Sequence, residues 1–224
     1  MRAIRALTVA ALVALDVSAA TAQSTRGFKD SWFWGLKGGG MFYQVMSDNE
    51  QDGSLGPIGG MDWLITRSKG GLYASFDYLY FKDQSVFIND SISPLDTVPR
   101  QVFLSGMRRV TLAGMVFPLQ THLIQPYAGA GVAFSHISKA EPVGTFRNGL
   151  QAALVQATIS EFRASAAPIV ILGTQLRLLH TSAFGQATAT PAHDNFFLFT
   201  GNNWRISFEG GLRYNFGSSI DRMR

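Results

Sequence analysis

Three carboxylates at alternate positions, Asp48, Glu50 and Asp52, followed by Gly53, are the first residues of this chain whose types and spacing suit chemistry. Hard oxygens spaced this way can converge on one cation, as in the opening of a calcium-binding loop. The bidentate acid that would complete such a loop is missing, because Gly59 stands at its position, so the stretch reads first as a solvated acidic loop. His136 and Ser138 form a second candidate, since a histidine two residues from a serine shares its face of an extended chain and can serve it as a base. Glu141 lies too close and Glu161 too far to complete a relay, and the pair reads first as interfacial polar groups. His122, His180 and His193 are dispersed without metal-ligand spacing, and no cysteine occurs. A thiolate metal site, a cysteine nucleophile and a disulfide framework are therefore excluded. G-x-S-x-G, Gly-rich phosphate-loop and H-E-x-x-H patterns are absent, and no metal or cofactor is expected.

A different polar set recurs at alternate positions inside otherwise apolar segments: Lys37, Asp62, Asp77, Arg109, Arg205, Glu209 and Arg213. These opposite charges would pair across a narrow interior, and the elements that bring them there must be strands. The clearest runs from Trp204 to Phe216, with Trp204, Ile206, Phe208, Leu212, Tyr214 and Phe216 on one face. Arg205, Ser207, Glu209, Arg213 and Asn215 fall on the other, where Glu209 is expected to pair with Arg213 and Arg205. Helical spacing would scatter these charges around a cylinder, whereas a period of two keeps them together. A soluble barrel would put the apolar face inside; a membrane barrel inverts the faces, with apolar side chains on lipid and charges in the lumen.

The same alternation predicts strands over 32–46, 55–67, 71–81, 101–117, 123–138, 166–176 and 182–190. Gly38, Gly39 and Gly40 are costly in a flat strand but suit a sheet that bends sharply. Within the longest irregular stretch, 139–165, the residues Leu150, Ala153, Leu154, Ala157 and Phe162 predict one amphipathic helix. Breaks between strands alternate long and short along the whole chain. That asymmetry predicts an all-β, eight-stranded antiparallel up-and-down transmembrane β-barrel with short periplasmic turns and longer outer loops. Aromatics near the strand ends predict two interfacial girdles. One holds Trp32, Trp34, Trp63, Phe117, Tyr214 and Phe216, and the other Phe42, Tyr80, Phe103, Phe134 and Trp204.

Arg2 and Arg5 precede an apolar run from Ala6 to Leu15 and an Ala20-Thr21-Ala22 cleavage pattern, which reads as a secretory signal peptide over 1–22 despite Asp16. A periplasmic segment over 23–31, a barrel over 32–216 and a periplasmic tail over 217–224 complete the expected organisation. Beyond the signal peptide no apolar run approaches the ~18 residues of a membrane helix. A formal charge of +4 without clustering is a poor basis for binding nucleic acid, and 23 glycines with 12% aromatics suit strands that are apolar on one face only.

With this pattern the chain resembles the small eight-stranded outer-membrane β-barrels of the OmpA/OmpX/OmpW type, over nearly all of residues 30–216. The most specific piece is Gly211-Leu212-Arg213-Tyr214-Asn215-Phe216, which is similar to the C-terminal signal read by the barrel-assembly machinery, with Leu212, Tyr214 and Phe216 as its apolar positions. It departs from the usual pattern in that further residues follow the aromatic. The resemblance implies export to the bacterial outer membrane, contact with its lipids and lipopolysaccharide, and a monomeric barrel. A structural or surface-interaction role through the outer loops is the leading expectation. A narrow channel or pocket for a small, possibly apolar, solute is the alternative. His136 and Ser138 also resemble part of the site of the eight-stranded lipid A deacylases, though the flanking residues do not match, which leaves a lipid A-modifying esterase as a minor third reading. No peptidoglycan-binding domain is seen, and a wall-anchoring role is not expected.

Overall fold

A computed structural model of the chain describes residues 30–45, 53–87, 100–119, 123–146, 148–178, 180–191, 196–199 and 204–218. The expected signal peptide, the acidic stretch 48–52, His122, His193 and the end of the tail lie outside these residues. The strands are β1 (Ser31–Val45), β2 (Ser54–Thr66), β3 (Gly70–Phe87), β4 (Arg100–Val116) and β5 (Ile124–Pro142). Helix α1 (Gly149–Phe162) precedes β6 (Ala164–Leu178), β7 (Thr181–Pro191), β8 (Leu198–Phe199) and β9 (Trp204–Ser218).

Each long strand pairs antiparallel with its neighbour in sequence order, and β1 pairs with both β2 and β9. Trp34 lies opposite Trp63 on one side and Tyr214 on the other, so the sheet closes on itself and has no free edge along these strands. Closure matters in a membrane, where an unpaired backbone edge would cost several kcal/mol per group. Short connections gather at one end and long ones at the other, as an up-and-down barrel requires. β8 is an extra two-residue strand, unforeseen by the alternation, that lays Leu198 and Phe199 along Val45 and Gln44 at the loop end.

Several strands run further than their sequence pattern suggested. β3 reaches Phe87 and β5 reaches Pro142, because a bulge lets the ladder continue after the simple alternation has lost its phase. The register of β3 on β4 shifts between Leu79 and Lys82, and Gly106 of β4 takes a φ of 62°, a left-handed conformation open to glycine at little cost. β9 continues to Ser218, which pairs with Ser31, so residues 31, 217 and 218 extend the wall of the barrel.

Outward positions carry Leu36, Leu72, Phe76, Leu112, Phe134, Leu172, Phe208 and Leu212, all exposed. Inward positions carry three layers. At the short-turn end Phe33, Leu64, Tyr73, Phe117 and Tyr127 form an apolar and aromatic cluster. Phe117 is thus no girdle residue: it is 3% exposed and turns its ring inward to meet Tyr127, because it follows the last β4 residue on the lumen side of the alternation. A belt of ionised and amide side chains fills the middle. The loop end is closed by a second apolar cluster in which Met41, Tyr43, Leu79, Phe81, Leu104 and Met107 from the wall meet Val155 and Ile159 of α1 and Phe196, Phe197 and Leu198.

Helix α1 lies within the stretch where one was expected, with the Asn148 side chain accepting from the Gln151 amide at 2.8 Å as its N-cap. Its buried face is different from the predicted stripe. Gln151, Val155 and Ile159, spaced by four, point into the barrel mouth, while Leu150 and Leu154 are 70% and 44% exposed. The helix is apolar on more than one side, so spacing alone left the choice of face to docking.

Candidate functional site in the lumen

Glu209 stands at the centre of the polar belt. One of its oxygens takes Lys37 Nζ at 2.6 Å and the Gln186 amide at 3.0 Å; the other accepts from Ser207 Oγ at 2.7 Å and from the Arg109 guanidinium. Lys37 also lies 2.8 Å from Asp77 Oδ1 and donates to Tyr73 Oη at 3.1 Å. Arg109 holds Asp77 through Nε and Nη2 at 3.1 and 3.0 Å, while Nη1 reaches Thr188 and Ser207 on the far wall. The group is a four-membered ion cluster spanning β1, β3, β4 and β9.

Arg213 forms a second, separate unit. It donates to Asp62 through Nε and Nη2, the shorter contact being 2.7 Å, and to Gln175 Oε1 at 2.8 Å. Its guanidinium lies over the Phe184 ring at 3.7 Å. Glu209 therefore pairs with Lys37 and Arg109, and not with Arg213 or Arg205 as the linear sequence suggested. Same-face neighbours on one strand stand roughly 6–7 Å apart, whereas Lys37 meets Glu209 diagonally from the paired strand β1 and Arg109 reaches it across the narrow lumen from β4.

Glycines make this packing possible. A Cβ on Gly35 would come within 2.4 Å of Asp62 Oδ1 and 2.7 Å of Arg213 Cγ, and one on Gly60 within 2.6 Å of Asp77 Oδ1. Each bare backbone position is the space into which a charged pair fits.

Arg205 is the exception to the pairing. It is 2% exposed, its three guanidinium nitrogens have no hydrogen-bond partner among the described residues, and the Phe196 ring covers it at 4.7 Å. The seven charged residues singled out from the sequence thus occupy the lumen as two paired units and one unpaired cation. Tyr73, Ser75, Gln175, Gln186, Thr188 and Ser207 belong to the same belt. Their inward parity was available for Tyr73, Ser75 and Ser207, but a neutral side chain carries no signal that it completes a charge network.

His136 and Ser138 do not form a base–nucleophile pair. The His136 imidazole accepts from Arg163 Nε at 3.1 Å, and Ser138 Oγ is buried without a hydrogen-bond partner among the described residues. Ser138 stands opposite Gly106 at the one position the β4–β5 ladder skips, and it is half-buried where His136 is exposed. Leu212, Tyr214 and Phe216 are exposed on the outer face of β9 at the short-turn end, where Tyr214 and Phe216 meet edge to face at 5.0 Å.

No family model and no curated protein matches the chain. Among solved structures it is similar to Neisserial surface protein A, with a TM-score of 0.51 at 7% identity over 83% of this chain and 97% of that one. The fold is that of the small eight-stranded outer-membrane β-barrels. The barrel is also similar to the outer membrane protein OprG from Pseudomonas aeruginosa, at 14% identity, a TM-score of 0.49 and coverage of 86% and 99%. A third likeness is to Ail, the attachment invasion locus protein of Yersinia pestis, at 10% identity, a TM-score of 0.44 and coverage of 82% and 98%. At these identities the likeness concerns the architecture of the barrel alone.

Proposed function

We propose that this protein is an exported outer-membrane barrel whose role is structural or surface-interacting, carried by the segments at its loop end. The observation that supports this reading most directly is the filled lumen: two apolar clusters flank an ion-paired belt, and side chains of α1 and the 196–198 segment close the loop end. A barrel filled in this way is poorly suited to conduct. Its loop end carries the helix, and Leu150 and Leu154 on the outer side of that helix offer apolar surface to lipid, lipopolysaccharide or a partner. Leu212, Tyr214 and Phe216 would serve as the recognition positions for the assembly machinery, and the barrel would act as a monomer.

Planar-bilayer recording of the refolded protein tests the reading. Absence of discrete conductance steps is the expected outcome, together with binding of lipopolysaccharide vesicles that weakens when Leu150 and Leu154 are both replaced by Ser. Stable single-channel openings would instead favour a conduit. The esterase reading has less support, since His136 and Ser138 are not joined; mass analysis of lipid A from expressing cells, with no loss of an acyl chain expected, checks it.

A further inference from the structure

The fully buried charged residues of the lumen are Lys37, Arg109, Arg205 and Arg213 with Asp62, Asp77 and Glu209, while the half-buried Asp83 at the loop end takes the Tyr43 hydroxyl at 2.6 Å. The one buried cation without an acceptor among the described residues is Arg205. A buried guanidinium without hydrogen-bond acceptors is among the most costly groups a protein can hold, and a structural residue would be expected to have acquired a partner. Among the described residues, Arg205 has only a ring against it. It lies above the ion cluster: the next inward residue on its strand is Ser207, which bonds Glu209, and its own β7 partner, Thr190, stands two residues beyond Thr188. On its other side begins the apolar cluster of the loop end.

The part of that cluster against Arg205, Phe196, is carried by the short segment at β8 and not by a long strand of the wall. Among the described residues, the segment carrying Phe196 pairs with β1 through the two residues of β8, donates from the Phe197 amide to the Phe162 carbonyl at 3.1 Å and packs the Phe197 ring on Phe162 at 5.7 Å. The long strands, by contrast, share up to sixteen register pairs with a neighbour.

We propose that Arg205 is the anion-binding residue of a ligand site in the outer half of the lumen, occupied by a small organic monoanion with an apolar body about the size of the Phe196 ring. The Phe196 ring covers the site when it is empty, and its displacement opens it. The geometry sets the ligand class. A bare inorganic anion would satisfy the guanidinium but leave a gap in the apolar loop-end cluster to which Phe196 belongs, whereas a carboxylate on an aromatic or short aliphatic body replaces both the missing acceptor and the displaced ring. The site is a dead end, because the ion cluster beneath it is fully paired, so binding here is compatible with a barrel that does not conduct.

Benzoate is a suitable probe, with benzamide as its uncharged counterpart and inorganic phosphate as the bare anion, each titrated by calorimetry into the refolded barrel in detergent micelles. Benzoate should bind more tightly than benzamide or phosphate, and Phe196→Ala should strengthen it by removing the competing ring. Arg205→Met should weaken benzoate about ten- to hundredfold, the worth of a hydrogen bond to a charged group. The same variant should leave heat-modifiable migration intact and raise the urea midpoint, since it removes an unpaired buried charge. A structural arginine would behave the other way, with Arg205→Met lowering the midpoint. The proposal fails if wild type does not bind benzoate, if phosphate binds as tightly, or if Arg205→Met binds benzoate like the parent. If Arg205→Met does not fold, the arginine is structural and the proposal fails on that ground as well.

Discussion

Asp62 and Arg213 lie 151 positions apart in sequence and meet only because β2 and β9 flank β1 on its two sides. Both are fully buried, so removing one partner strands the other's charge in the lumen. Asp62→Asn should cost about 3–5 kcal/mol, as expected for breaking a buried pair from one side; urea titration of folding into lipid vesicles measures it, and a midpoint like the parent's would show that the pair is not held as described. Glu209→Gln belongs to the same class. It leaves Lys37 and Arg109 sharing Asp77 alone, and its cost should be comparable and nearly independent of salt, because screening acts on exposed charges far more than on buried ones. A cost that disappears in high salt would place Glu209 in water.

At the scale of the strand, the run Gly38-Gly39-Gly40 has two kinds of position in it. A Cβ on Gly39 would come 1.9 Å from the Phe208 carbonyl oxygen, whereas one on Gly38 would meet nothing nearer than the Ile58 carbonyl at 3.7 Å. Gly39→Ala should therefore hinder the β1–β9 closure and leave a large unfolded fraction on heat-modifiable gels, while Gly38→Ala should migrate like the parent. Equal behaviour of the two variants would contradict the close approach of these strands. On β9 the faces are set by alternation: Phe208 is 56% exposed and Glu209 is 5% exposed. Phe208→Arg puts a charge on the lipid side at a cost of roughly 2–4 kcal/mol if it lies near the bilayer midplane. Vesicle folding that tolerates this substitution would overturn the outward assignment of the whole strand face.

For the whole molecule, the sorting of connections predicts which end meets the outside. An engineered cysteine at Lys69, in the short turn between β2 and β3, should stay unlabelled by a membrane-impermeant maleimide on intact cells. One at Ala153, exposed on α1, should label readily. The absence of native cysteine makes the background clean. Labelling at Lys69 alone would invert the barrel.

The sequence by itself determined the strands, their inward and outward faces and their order, because a period of two is a local property and closure follows from eight segments that each pair with the next. It was weaker wherever the period slipped. The extension of β3 and β5 past the bulge near Gly106, and the inward turn of Phe117, depend on ladder contacts that no window of residues contains. The charged lumen residues were legible as a set, yet their partners were not: Glu209 meets Lys37 diagonally on the neighbouring strand β1 and Arg109 from the far wall, and neither the β1–β9 register nor the width of the lumen can be read from a local window. The buried face of α1, the short strand β8 and the unpaired state of Arg205 were decided by tertiary structure alone, since each depends on how the loop end packs into the barrel mouth, and that packing joins residues with no periodic relation in the chain.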